Sequence, residues 1–199
     1  MANLILIRHG QSVWNAANIF TGWTDVDLSE IGIIEAEDAA RELSRMKIDV
    51  VHTSDLIRAQ RTARIILEMN EVSSNAVVIE DWRLNERNYG SLQGLNKAET
   101  AEKFGDEQVQ IWRRSFDVAP PDGESLKMTA ERTIPYFVEE VIPDLQDGKN
   151  VLISAHGNSL RSIVMDIESI SPEEIVSLEI PTGKPRYYNF KNGEIRRNE

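Results

Sequence analysis

Four apolar residues in succession, Leu4-Ile5-Leu6-Ile7, run directly into Arg8-His9-Gly10. A short β-favouring run that ends in glycine predicts a strand buried on both faces. The pattern recurs late in the chain: Lys149-Asn150-Val151-Leu152-Ile153-Ser154-Ala155 is closed by His156-Gly157. Between them, Ser29 to Met46 carries the stripe Ile33, Ala36, Ala40, Leu43, the 3.6-residue period of an amphipathic helix. Asp49 to Ser54 reads as a second strand, and Ser54 or Asp55 as the cap of a helix reaching Met69. Ala76 to Glu80 reads as a third strand. The residues from Phe20 to Asp27, with Gly22 at their centre, read as loop, and Trp82 to Ala98 as irregular. Helices follow at Lys97 to Phe104 and Asp106 to Phe116, then a break at Pro120-Pro121-Asp122-Gly123. Glu124 to Val141 is helical in pattern, kinked by Pro135 and ended by Pro143. A helix with the stripe Leu160, Ile163, Val164, Ile167 follows His156. Arg186 to Phe190 is a last strand, with a short polar end after it.

Strands alternating with amphipathic helices predict a three-layer α/β fold, doubly wound, with a mostly parallel sheet and helices on both faces. The chain reads as a single domain over residues 1–199, in which the stretch 82–123 interrupts the alternation as a helical lid over the carboxyl edge of the sheet. The length of 199 residues suits one well-buried core. The chain has no cysteine, which excludes disulfides and thiolate metal sites. Leu4 to Ile7 is far shorter than a signal sequence core or a membrane span, so a cytoplasmic protein is expected. A net charge of −11 argues against non-specific nucleic-acid binding and against an anionic membrane surface. It also makes clusters of arginine informative, because an acidic protein that gathers them is suited to hold a small anion.

His9 and His156 are two of only three histidines, and both follow a strand and precede glycine. On neighbouring parallel strands, both imidazoles emerge at the carboxyl edge, where open α/β sheets bind ligands. His9 is then a candidate phosphate-accepting nucleophile and Arg8 a phosphate clamp, with Gly10 permitting a sharp turn or close approach to an anion. His52 lies within a strand with no basic neighbour and reads as structural. Arg58, in the first turn of the helix after the second strand, faces the same edge, and its planar fork suits phosphate. Arg61 and Arg64 read as solvated. Gly157-Asn158 opens a helix, a geometry that serves an anion and ordinary asparagine capping equally. Glu86 reads either as a solvated loop carboxylate or, if His9 carries a phosphoryl group, as the group that takes and returns the proton of the accepting hydroxyl. Lys97, Arg113 and Arg114 lie further along the insertion, either as a charged helix face or as a grip on the carboxylate and distal phosphate of a small substrate. Asp25 and Asp27 with the histidines raise a metal site as a rival, but no metal-binding spacing is present and the adjacent arginines repel a cation. No catalytic metal is expected.

Arg8-His9-Gly10-Gln11-Ser12 with His156-Gly157 resembles the histidine phosphatase superfamily. The segments Phe20 to Ser29, Leu84 to Lys97, Ala155 to Arg161 and Ile180 to Gly183 resemble, more closely, its cofactor-dependent phosphoglycerate mutases. The similarity covers almost the whole chain, and these long motifs in order are highly specific. The resemblance implies interconversion of 3-phosphoglycerate and 2-phosphoglycerate in glycolysis and gluconeogenesis, primed by 2,3-bisphosphoglycerate. It makes His9 the phosphohistidine and Glu86 the acid/base. His156 would stabilise the transferring phosphoryl group, and Arg8 and Arg58 would bind its oxygens. Ser12, Asn15, Thr21, Gly22, Tyr89, Lys97, Arg113, Arg114, Gly157 and Asn158 match the family's ligand contacts.

This chain has only Pro120 to Glu124 where longer members of the resembled family carry a loop, and the sequence stops at Glu199, soon after the last expected strand, where they carry a C-terminal tail. The expectation is a larger share of phosphoenzyme hydrolysis. A homodimer and a monomer both stay open. The rival readings are a phosphatase of small phosphorylated metabolites using the same His9, and a silent binding domain, which the presence of His9, Arg58, Glu86 and His156 disfavours.

Overall fold

The computed structural model describes residues 1–198. Six strands form one sheet: β1 (Ala2–Arg8), β2 (Val50–Thr53), β3 (Val77–Glu80), β4 (Val151–Ala155), β5 (Arg186–Lys191) and β6 (Glu194–Arg197), in the order β3-β2-β4-β1-β5-β6. β3, β2, β4 and β1 are mutually parallel, while β5 runs antiparallel to β1 and β6 antiparallel to β5. Arg8 pairs with Ala155 in the β1–β4 ladder, so His9 and His156 are the next residues on adjacent strands.

The strand period of two assigns the β1 residues to opposite faces. Leu4 and Leu6 enter one core with Ile153, Tyr136, Val141, Leu160 and Val164. Ile5 and Ile7 enter the other with Val51, Ala40, Leu43 and Ile66. The helices α1 (Val13–Ala16), α2 (Glu30–Leu43), α3 (Ile57–Glu68), α4 (Lys97–Phe104), α5 (Asp106–Arg114), α6 (Leu126–Tyr136), α7 (Ile142–Gln146) and α8 (Gly157–Glu168) complete the layers. α2 and α3 supply the second core; α6, α7 and α8 supply the first. None of the described helices is long and apolar enough to cross a membrane.

Three local expectations are corrected. Pro143 does not end the helix that begins near Glu124. A wider π turn, Phe137–Val141, follows α6 and resets the register, so Pro143 falls in the first turn of α7, where its missing N–H costs nothing. The end after Phe190 is not merely polar tail. Asn192 (φ 54°) and Gly193 (φ 82°) make a tight turn and β6 returns along β5. The cap of α3 comes from neither Ser54 nor Asp55 directly. Its first N–H, on Ile57, donates to Asp25 Oδ1 at 2.8 Å, tying the loop around Gly22 to α3.

The segment 82–123 packs on that same loop. Phe20, Leu92 and Val109 form a small separate core, with Tyr89 and Trp112 against it. The Phe20 N–H donates to the Leu95 carbonyl at 3.0 Å, and Gly94 N–H to the Phe20 carbonyl at 2.9 Å.

Candidate active site

The β1 ladder extends one bond past the strand, from His9 N–H to the Ala155 carbonyl at 3.0 Å. This fixes the His9 backbone against β4. The His9 Nδ1 lies 2.6 Å from the Gly10 carbonyl. A carbonyl only accepts, so Nδ1 carries the proton and Nε2 keeps its lone pair. Gly10 is required for close packing. A Cβ there would lie 2.1 Å from the Gly32 carbonyl oxygen of α2.

His156 stacks edge-on against His9, with ring centroids 4.9 Å apart. It is fully buried, its Nε2 is 2.7 Å from Ser54 Oγ, and its Nδ1 has no protein partner. Burial and the Arg58 charge hold the pKa of both imidazoles well below the usual histidine value, so both rings are neutral at pH 7.

Arg58 is buried in the first turn of α3. Its Nη2 donates to the Gly22 carbonyl at 2.7 Å and its Nη1 to the Thr24 carbonyl at 3.1 Å. Gly22 (φ 56°) adopts the left-handed conformation, which glycine reaches most cheaply. Burial draws the Arg58 pKa down to about 10, leaving it charged. Arg8 donates from Nη1 to the Ile180 carbonyl at 2.9 Å, while its buried Nε has no partner.

Glu86 approaches from the 82–123 segment. Its Oε1 accepts from the N–H of Arg87 at 2.8 Å and of Asn158 at 3.0 Å. The open N-terminus of α8 is thus bonded to a carboxylate of the protein itself. These groups enclose a cleft of about 210 Å³ that Asn15, Thr21, Tyr89, Lys97, Arg113, Arg114 and Gly157 also line. Arg8, Arg58, Lys97, Arg113, Arg114 and Arg161 face it against only Glu86 and Glu179, so a chain of net charge −11 concentrates positive charge there.

Two of the expected residues do not line the cleft. His156 sits behind His9. The Ser12 Oγ caps α1, accepting from the Asn15 N–H at 3.1 Å. Conversely, sequence reasoning missed Arg161, which lines the cleft from the first turns of α8. Its Nη1 donates to Asn158 Oδ1 at 3.1 Å and its Nη2 to the Ile175 carbonyl, while its buried Nε has no partner. The available signal was a charged residue set among Leu160, Ile163 and Val164. Leu178 and Glu179 were also missed as a cleft wall, beside Ile180 and Pro181 of the quoted motif.

The depressed histidines carry a stability consequence. A histidine with a lowered folded-state pKa binds fewer protons folded than unfolded once the pH falls below about 6.5. Folding stability should therefore fall as the pH drops from 7 to 5, by up to roughly 1.4 kcal/mol per pH unit for each of His9 and His156. Urea unfolding at pH 7.5, 6 and 5 measures it. A flat profile across that window would contradict neutral, buried imidazoles.

Residues 4–197 match the histidine phosphatase superfamily (branch 1). The chain is 48% identical to the 2,3-bisphosphoglycerate-dependent phosphoglycerate mutase of Chlamydia pneumoniae, over 99% of this chain and 97% of that one. It is 51% identical to the enzyme of the same name from Parvibaculum lavamentivorans, over 98% and 94%. Among solved structures, a mycobacterial glucosyl-3-phosphoglycerate phosphatase in complex with VO3 superposes with a TM-score of 0.86 at 26% identity, covering 100% of this chain and 98% of that one. The chain therefore belongs to the histidine phosphatase superfamily, branch 1, and within it to the 2,3-bisphosphoglycerate-dependent phosphoglycerate mutases.

Proposed function

We propose that the chain interconverts 3-phosphoglycerate and 2-phosphoglycerate through a phosphohistidine at His9, primed by 2,3-bisphosphoglycerate, in the cytoplasm. One observation carries this reading beyond family membership. Six cationic side chains converge on a cleft of about 210 Å³, a surplus for one phosphate but a match for two phosphates and a carboxylate on a three-carbon chain. The unpartnered buried Nε atoms of Arg8 and Arg161, which line the cleft, fit the same anion.

When bound, 2,3-bisphosphoglycerate supplies the phosphoryl group that charges the protein. His9 attacks the phosphorus with the Nε2 lone pair, while its Nδ1–H stays on the Gly10 carbonyl. The P–O bond to the carbon chain breaks, and the leaving oxygen takes a proton from the Glu86 carboxyl to give a monophosphoglycerate. The Arg8 and Arg58 guanidiniums neutralise the oxygens of the group in transit, with His156 beside them. Such transfer depends on positioning and charge more than on covalent assistance. The Glu86 carboxylate takes the proton of the accepting hydroxyl and returns it in the reverse step. Lys97, Arg113, Arg114 and Arg161 hold the parts of the substrate that do not react. Segment 82–123 acts as the lid that limits water. The cationic walls supply the charge neutralisation that a metal provides elsewhere, so the reaction needs none.

The test is to supply 3-phosphoglycerate with and without 2,3-bisphosphoglycerate, and with EDTA, and to follow both 2-phosphoglycerate and free phosphate. Isomer formation stimulated by the bisphosphate and unchanged by EDTA is expected. Phosphate release without isomer would sink the mutase reading, and strong inhibition by EDTA would restore the metal.

A further inference from the structure

Arg132 lies on α6, outside the cleft and outside every motif used above, with its side chain buried beside Glu124. All of its donors are directed at one short stretch and its counter-charge. Nη1 donates to the carbonyls of Arg83 at 2.9 Å and Asn85 at 3.0 Å. Nη2 donates to the Glu86 carbonyl at 2.9 Å and to Glu124 Oε2 at 2.9 Å, and Nε to Glu124 Oε1 at 2.8 Å. The bidentate pair with Glu124 is the geometry in which a buried arginine is most fully satisfied. Glu124 Oε2 in turn accepts the Asn88 N–H at 2.8 Å. The backbone on both sides of Glu86 is therefore held by one ion pair. The loop carrying Gly22 joins the same clamp, because the Trp23 indole donates to the Glu86 carbonyl at 2.5 Å and stacks 5.5 Å from the Arg132 guanidinium.

A stretch that is irregular between residues 85 and 89 has no ladder of its own to fix the Glu86 side chain. The Asn85 carbonyl has Arg132 as its donor, while the Arg83 carbonyl also accepts from Thr133 Oγ1 and the Glu86 carbonyl from the Trp23 indole, and a buried carbonyl left without a partner is costly. A guanidinium can satisfy several fixed acceptors in one plane, which lysine cannot do. We propose that Arg132, locked by Glu124, is a positioning residue that sets the Glu86 carboxylate against the substrate hydroxyl. This rests on the acid/base role given to Glu86 above. Arg132 acts through the Glu86 backbone and touches no substrate.

The test is a double-mutant cycle on R132K and E86Q, with kcat, KM and thermal midpoint measured for each. R132K is expected to lower kcat on the order of 10²-fold, the cost of a misplaced catalytic group. KM for 3-phosphoglycerate should change less than about threefold, because Arg113 and Arg114 keep their places. In the E86Q background, R132K should cost less than about threefold further. An undiminished loss in that background would overturn the proposal, since a purely structural arginine, or one acting directly on His156, is felt whether or not Glu86 is present. So would a KM that rises as kcat falls. If R132K does not fold, E124Q carries the same cycle: it keeps the side-chain shape and removes the counter-charge, and the same non-additivity with E86Q is expected. The outcome is separable from the functional reading. Wild-type protein that only releases phosphate overturns that reading, and the cycle is then read on phosphate release.

Discussion

His9→Ala should abolish both the phosphoenzyme and the isomerisation, lowering kcat by at least about 10³-fold. His9 presents a free Nε2 lone pair with its tautomer set by the Gly10 carbonyl. The neighbouring imidazole offers no substitute, because His156 is fully buried behind it and tied to Ser54. Incubation with 2,3-bisphosphoglycerate followed by acid quench should leave an acid-labile phosphate on the wild-type chain and none on the variant. Retention of that phosphate by His9→Ala would refute the nucleophile assignment. The variant should keep its fold, since the His9 backbone bond to Ala155 does not involve the side chain.

Glu86→Gln should separate charging from exchange. The amide keeps the shape of the carboxylate but cannot take a proton from the substrate hydroxyl, so kcat should fall by roughly 10² to 10⁴. The His9 ring, Arg8 and Arg58 are untouched, and a phosphohistidine should still be detectable. KM should change little, because the substrate is held by the cations of α4, α5 and α8. A variant with unaltered kcat would remove Glu86 from the reaction. One that can no longer be phosphorylated would make it a structural support of His9 instead.

The sheet and the histidine pair were legible because their signals are local. A run of buried apolar residues followed by His-Gly needs only strand pairing to bring two imidazoles together, and the β1–β4 register does so. Tyr89, Lys97, Arg113 and Arg114, in the segment 82–123, were legible through the family resemblance, although nothing in their spacing shows that they face the cleft with His9. What was missed depends on three-dimensional context. The Ser12 oxygen caps a four-residue helix, a structural partner that the resemblance does not show, and its O–H stays free to donate. Asp25 falls in a stretch that reads as loop, yet it caps α3 from a distant point in the chain. Pro143 reads as a stop, and only the preceding π turn lets the helix run on. The carbonyl partners of Arg132 and Arg161 leave no mark in a single sequence. Asn192-Gly193 is the exception, a turn signal present in the sequence and overlooked.

The central claim is that His9 hands its phosphoryl group back to a phosphoglycerate rather than to water. The direct measurement is a chase of the isolated, labelled phosphoenzyme with unlabelled 3-phosphoglycerate. Label should leave the protein rapidly and appear in bisphosphoglycerate and 2-phosphoglycerate, at a rate set by the added acceptor. Label that leaves as inorganic phosphate, at a rate the acceptor does not change, would contradict the account.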